Sequence, residues 1–130
     1  MLKKTITYTD YDGETREEDF YFNLRKDEIL ELNFNANLKL SDQIEGIVKA
    51  KDVKEIYSLF KKIILLSYGE KSADGKHFRK SEEISKNFES TEAFSELIME
   101  LVTDENKAAD FIKMVLPKNL DLPVQELPVE

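Results

Sequence analysis

The first 24 residues alternate with a period of two. Residues 3–9 are rich in Thr, Ile and Tyr, and residues 19–24 read Asp-Phe-Tyr-Phe-Asn-Leu. Asp12-Gly13 between them is a hairpin signal. A two-residue type I′ turn pairs positions summing to 25, which sends Ile6 and Tyr8 to one side of the ribbon and Phe20 and Phe22 to the other. A three-residue loop, Tyr11-Asp12-Gly13 with Gly13 left-handed, makes the sum 24. Leu2, Ile6, Tyr8, Phe20, Phe22 and Leu24 then share a face, and a ribbon needs one buried face to stay folded. The opposite face, with Thr5, Thr7, Thr9 and Glu17, stays wet. The ribbon's open edges can add to another chain.

Beyond residue 24 the apolar positions recur at helical spacing. Residues 25–34 predict a short helix carrying Ile29, Leu30 and Leu32, broken by Asn33, Asn35 and Asn37. Ser41 caps a helix to about Ala50 with Ile44, Ile47 and Val48 on one side. Asp52 with Glu55 resembles a capping box. It opens a helix to Tyr68, with Gly69 as its C-terminal stop. The apolar stripe of that helix (Val53, Ile56, Tyr57, Leu59, Phe60 and Ile63 to Leu66) is too wide for one-sided packing, so it is expected at the centre of the bundle.

Residues 69–80 read as a polar loop with a second Asp-Gly turn. Ser81 starts a short helix through Phe88, whose Glu82 and Glu83 suit the positive end of the dipole. Ser90 or Thr91 caps the next helix, with Phe94, Leu97, Ile98 and Leu101 in register. Thr103 or Asp104 caps the last, which carries Ala108, Phe111, Ile112 and Val115 and stops at Pro117. Three prolines between 117 and 128 forbid regular helix thereafter. The expected architecture is α+β and mostly α: a hairpin over 2–24 packed on a small bundle of about five to six helices within 25–116. Residues 1–116 form one globular domain and 117–130 an extended mobile tail.

Composition narrows the function classes. With 27 acidic against 19 basic residues the net charge is −8, which argues against nucleic acid as a partner because phosphate neutralisation needs a basic surface. No cysteine is present, which excludes a disulfide framework, thiolate chemistry and cysteine-ligated zinc. The longest aliphatic run, Ile63 to Leu66, is far short of the roughly 20 residues of a membrane span. Met1 to Thr5 is basic with no apolar segment behind it, unlike a signal peptide. The expectation is an acidic cytoplasmic protein with no membrane partner.

Candidate chemistry is sparse. Gly69-Glu70-Lys71-Ser72 lacks the upstream glycine of a phosphate-binding loop and follows a helix rather than a strand. His77, the one histidine, sits among Lys76, Arg79 and Lys80, which disfavour its charged form; an exposed turn residue is the simpler assignment. The pairs Glu17-Glu18 and Glu82-Glu83 diverge on strand or helix and make no acid/base dyad. Lys71, Lys76, Arg79 and Lys80 are offset by Glu70, Asp74, Glu82 and Glu83. No constellation supports an enzyme, a cofactor or a metal. Met99, Met114 and Leu116 lie off the cleanest apolar stripes, where adaptable side chains either grip apolar partners or plug gaps in a small core.

Several stretches in order resemble the tail assembly chaperones of long-tailed bacteriophages and prophages. They are Thr5 to Asp10, Glu18 to Leu24, Leu59 to Leu65, Tyr68 to Ser72, Asp74 to Lys76, Lys80 to Glu83 and Thr91 to Leu101, and together they span most of residues 2–120. The Asn-rich junction at 33–38 and the chain after Leu120 depart from the pattern. The resemblance implies a non-enzymatic protein that coats the tape measure protein, keeps it soluble in the host cytoplasm, and is absent from the mature virion. It also brings in as partners the tail tube protein, a frameshifted longer form and further copies of the chain. The contact positions expected on this basis are Phe94, Leu97, Ile98, Leu101, Phe111, Ile112 and Val115, which would serve equally well as core. Two other classes stay open, a structural tail component retained in the virion and a small acidic inhibitor or nucleic-acid mimic. Lysines interrupting every acidic run count against the mimic.

Overall fold

Strands β1 (Leu2–Thr9) and β2 (Thr15–Phe22) pair antiparallel with Leu2 opposite Phe22 and Thr9 opposite Thr15, so paired positions sum to 24, as parity requires. The structure is a computed structural model that describes residues 1–30, 46–47 and 49–116. Asp10 N–H donates to the Glu14 carbonyl at 2.8 Å and closes the loop Tyr11-Asp12-Gly13, with Gly13 at φ 83°. Asp10 holds this turn from within: its carboxylate accepts from the Asp12 and Glu14 amides, each at 2.9 Å, and from Arg16 Nε at 2.6 Å. Leu2, Ile6, Phe20, Phe22 and Leu24 are buried and Tyr8 half-buried, while Thr5, Thr7, Thr9 and Glu17 face solvent.

The expected polar loop at 69–80 is instead a second hairpin. Strand β3 (Tyr68–Lys71) pairs with β2, Tyr21 opposite Gly69, and with β4 (Phe78–Arg79), Glu70 opposite Arg79. The four strands lie in the order β1-β2-β3-β4. Gly75, at φ 76°, makes the turn, and Asp74 accepts from Ser72 Oγ at 2.6 Å and from the Lys76 amide at 3.0 Å. Gly69 is therefore not a helix stop. A Cβ there would lie 2.7 Å from the Phe78 ring and 2.8 Å from the Arg79 carbonyl, so the absent side chain is what lets β3 approach β4.

Helix α1 (Lys26–Leu30) is the described part of the 25–34 segment. Helix α2 (Val53–Ser67) starts at Asp52, whose side chain accepts from the Lys54 and Glu55 amides. Ser81 caps α3 (Glu82–Glu89), Thr91 caps α4 (Glu92–Thr103) and Asp104 caps α5 (Glu105–Val115), which settles both capping alternatives. The helix expected after Ser41 lies outside the described residues except for Gly46, Ile47 and Lys49, which are helical. The Asn-rich junction, Pro117 and the tail also lie outside them.

One apolar cluster joins the first hairpin to α2, α3, α4 and α5. At its middle the Phe88 ring stacks on Tyr68 with centroids 4.3 Å apart, and Phe20, Phe22 and Phe94 surround it at 5.1, 5.8 and 5.9 Å. Helix α2 is less central than its stripe suggests. Ile56, Leu59, Phe60, Ile63 and Ile64 are buried, but Val53 is 65% exposed and Tyr57 and Leu66 are each 40% exposed. Among the described residues α2 packs against α3 and α4.

Candidate partner-binding surface

The seven residues expected to contact a partner are all interior. Phe94, Leu97, Ile98, Leu101, Phe111, Ile112 and Val115 are between 1% and 7% exposed. Their work in this conformation is to hold α5 on the sheet and α4 on α3: Phe111 meets Phe22 edge-on at 5.5 Å, and Phe94 meets Phe88 at an interplanar angle of 88°. The large apolar side chains that α4 and α5 show to solvent are Met99 and Met114, each 55% exposed and each one of the off-stripe positions. Helical periodicity selects the buried face, so a surface has to be sought among the residues that violate it.

Met99 lines a groove of about 510 Å³ between β1 and the α4–α5 corner. One wall is Lys4, Thr5 and Thr7, the other Glu96, Met99 and Glu100. Lys4 is an even-numbered residue and so points inward with Ile6, a consequence of the alternation that apolar counting alone overlooks. Its Nζ reaches Glu100 Oε2 at 2.6 Å, and Lys107 Nζ lies 3.9 Å from the same carboxylate. A smaller, more apolar groove of about 240 Å³ lies between Val53, Ile56 and Phe60 of α2 and Val102 and Ala108.

The basic cluster of the second hairpin does not act as a unit. Lys71, Lys76 and Arg79 are exposed, but Lys80 turns inward. Its ammonium donates to the Asn23 carbonyl at 2.6 Å and to both Glu28 oxygens at 3.0 and 2.9 Å. Burial pushes Lys80 below the ordinary lysine range, against the opposing pull of Glu28. This lysine clamps the end of β4 to α1. His77 is exposed, and its backbone amide serves the turn through Ser72 Oγ at 3.0 Å.

The acidic pairs also separate. Glu17 is exposed, whereas Glu18 accepts from Tyr8 Oη at 2.6 Å, a bond that raises the Tyr8 hydroxyl above its ordinary pKa. Glu82 pairs with Lys86 at 3.0 Å, one turn along α3. Among the described residues no group of three or more His, Asp or Glu stands close enough to hold a metal ion, and no helix is long and apolar enough to cross a membrane. Among the described residues the arrangement offers contact surface: the outer side of β1, the grooves beside β1 and α2, and the exposed Met99 and Met114. A family model described as phage tail assembly chaperone matches residues 1–126. No curated protein and no solved structure matches the chain.

Proposed function

The chain belongs to the phage tail assembly chaperone family, and from that premise we propose that it binds the tape measure protein and keeps it soluble while the tail is built, without catalysis. The observation that carries this is the extent of the match, 126 of 130 residues, which takes in both hairpins and every described helix. The surface fits a holding role. A charge of −8 keeps a complex dispersed, and exposed methionines adapt to apolar helical partners without a fixed geometry. The protein acts in the host cytoplasm and leaves before the virion is complete.

Co-expression with the tape measure protein tests this. The soluble fraction of that long chain should rise when this protein is present, and the two should co-purify. An unchanged soluble fraction overturns the proposal. Mass spectrometry of purified particles then separates a chaperone, which is missing, from a structural component, which is retained.

A further inference from the structure

Strand β1 ends the sheet order, so its outer side is open among the described residues. The bond from Asp10 N–H to the Glu14 carbonyl fixes which backbone groups face that side. In an antiparallel pair, residues bonded to the partner strand alternate with residues whose N–H and C=O point away. Starting from the Asp10–Glu14 pair, the even residues Leu2, Lys4, Ile6 and Tyr8 bond to β2. The odd residues Lys3, Thr5, Thr7 and Thr9 present their backbone groups to the open edge. The groove described above lies along that edge, with Thr5 and Thr7 on one wall and α4 on the other.

The groove is lined by three carboxylates, Glu96, Glu100 and Asp104, and two lysines, Lys4 and Lys107, an excess of one negative charge. Lys4 and Lys107 both turn to Glu100, at 2.6 and 3.9 Å. Asp104 is occupied in capping α5. Glu96 lines the groove exposed, with Met99 one turn along α4. An occupant of this groove gains backbone bonds along β1, apolar contact at Met99 and an ion pair at Glu96. An acidic occupant, including a second α4 with its own Glu92, Glu96 and Glu100, meets like charge.

We propose that the open edge of β1 is a docking site for an extended, lysine- or arginine-bearing segment of a partner protein, which adds to the sheet as a further strand and lays its apolar and basic side chains on Met99 and Glu96. Strand addition supplies affinity through main-chain bonds, while the side chains facing α4 set which segment is taken. Calling that partner the tape measure protein rests on the proposed chaperone function; the site itself does not.

The test uses the full-length protein and two synthetic ten-residue peptides of alternating valine and threonine, one with lysines at two valine-face positions and one with glutamates there. Amide exchange is followed by NMR. The lysine peptide should slow exchange at Thr5 and Thr7 by roughly tenfold or more and shift the Met99 methyl signal, and the glutamate peptide should do neither. Glu96→Lys should cancel the effect with the circular dichroism spectrum unchanged. Thr7→Pro, which removes an edge donor and no bond to β2, should cancel it too. Equal effects of both peptides, or none from the lysine peptide, overturn the site. Protection of Thr5 and Thr7 that grows with protein concentration and no peptide also overturns it, since the edge then belongs to a second copy. In co-expression, wild-type protein and Glu96→Lys that solubilise the tape measure protein equally leave the chaperone reading intact and sink the site. Failure of the wild type sinks the chaperone reading and leaves the peptide result to judge the edge.

Discussion

Lys4 Nζ sits 2.6 Å from Glu100 Oε2, so a charge pair ties the edge strand to the helix that forms the opposite wall of the groove. Each side chain is less than a third exposed, which makes the bond stronger than a surface pair while leaving water on one side. Lys4→Ala should lower stability by about 1 kcal/mol, chiefly because Glu100 keeps only the weaker contact from Lys107. A double-mutant cycle with Glu100→Ala in urea should return a coupling of about 0.5–1 kcal/mol, larger than for any exposed i,i+4 pair such as Lys86–Glu82.

Two glycines separate a spatial demand from a conformational one. Gly69→Ala places a methyl 2.7 Å from Phe78 and 2.8 Å from a backbone carbonyl, so the β3–β4 pair must move apart at a cost of about 1–3 kcal/mol. Gly13 has open space around it but sits at φ 83°, so Gly13→Ala should cost about 1 kcal/mol through backbone strain alone. Thermal melts give the ranking. Amide exchange should localise the first loss to residues 68–79 and the second to the turn at 10–14.

The contrast also shows what the chain made legible. Parity alone selected the hairpin loop, because one register buries five apolar side chains and the other splits them between faces. Caps were readable at Asp52 and Ser81, and to within one residue at Thr91 and Asp104, because each supplies a short oxygen to orphan amides. The second hairpin was hidden because β4 has two residues and β3 four, too short for alternation to register, and the Asp74-Gly75 turn was its one trace. The surface was the least legible part. The apolar stripes of α4 and α5 went inward, and the groove is built from Lys4, Thr5, Glu96 and Met99, which become neighbours only when β1 meets α4.

Acid should loosen the first turn before the core. Hydrogen bonds from Arg16 and from the Glu14 and Asp12 amides hold the Asp10 carboxyl below its ordinary range. A carboxyl depressed in the folded state contributes stability that is fully present above its unfolded pKa and is lost as pH falls through the folded one. Exchange protection at the Glu14 amide should therefore hold at neutral pH and fall only below about pH 4. Asp10→Asn should remove that pH dependence. The same acid transition in the Asp10→Asn variant would place its cause elsewhere.

Alanine at Leu97 or Leu101, each 1% exposed, should cost about 2–5 kcal/mol. Any loss of tape measure solubility in those variants should track their melting temperature. Alanine or lysine at Met99 and Met114 should change stability by about 0.5 kcal/mol or less, because both side chains already meet water. If α4 and α5 carry the partner, those same substitutions should lower co-purification with the fold intact, which is the opposite pattern. Measuring melting temperature and co-purified partner on variants at the same four positions separates the two. A series in which binding falls only with stability would assign both helices to the core alone and move the partner to another face.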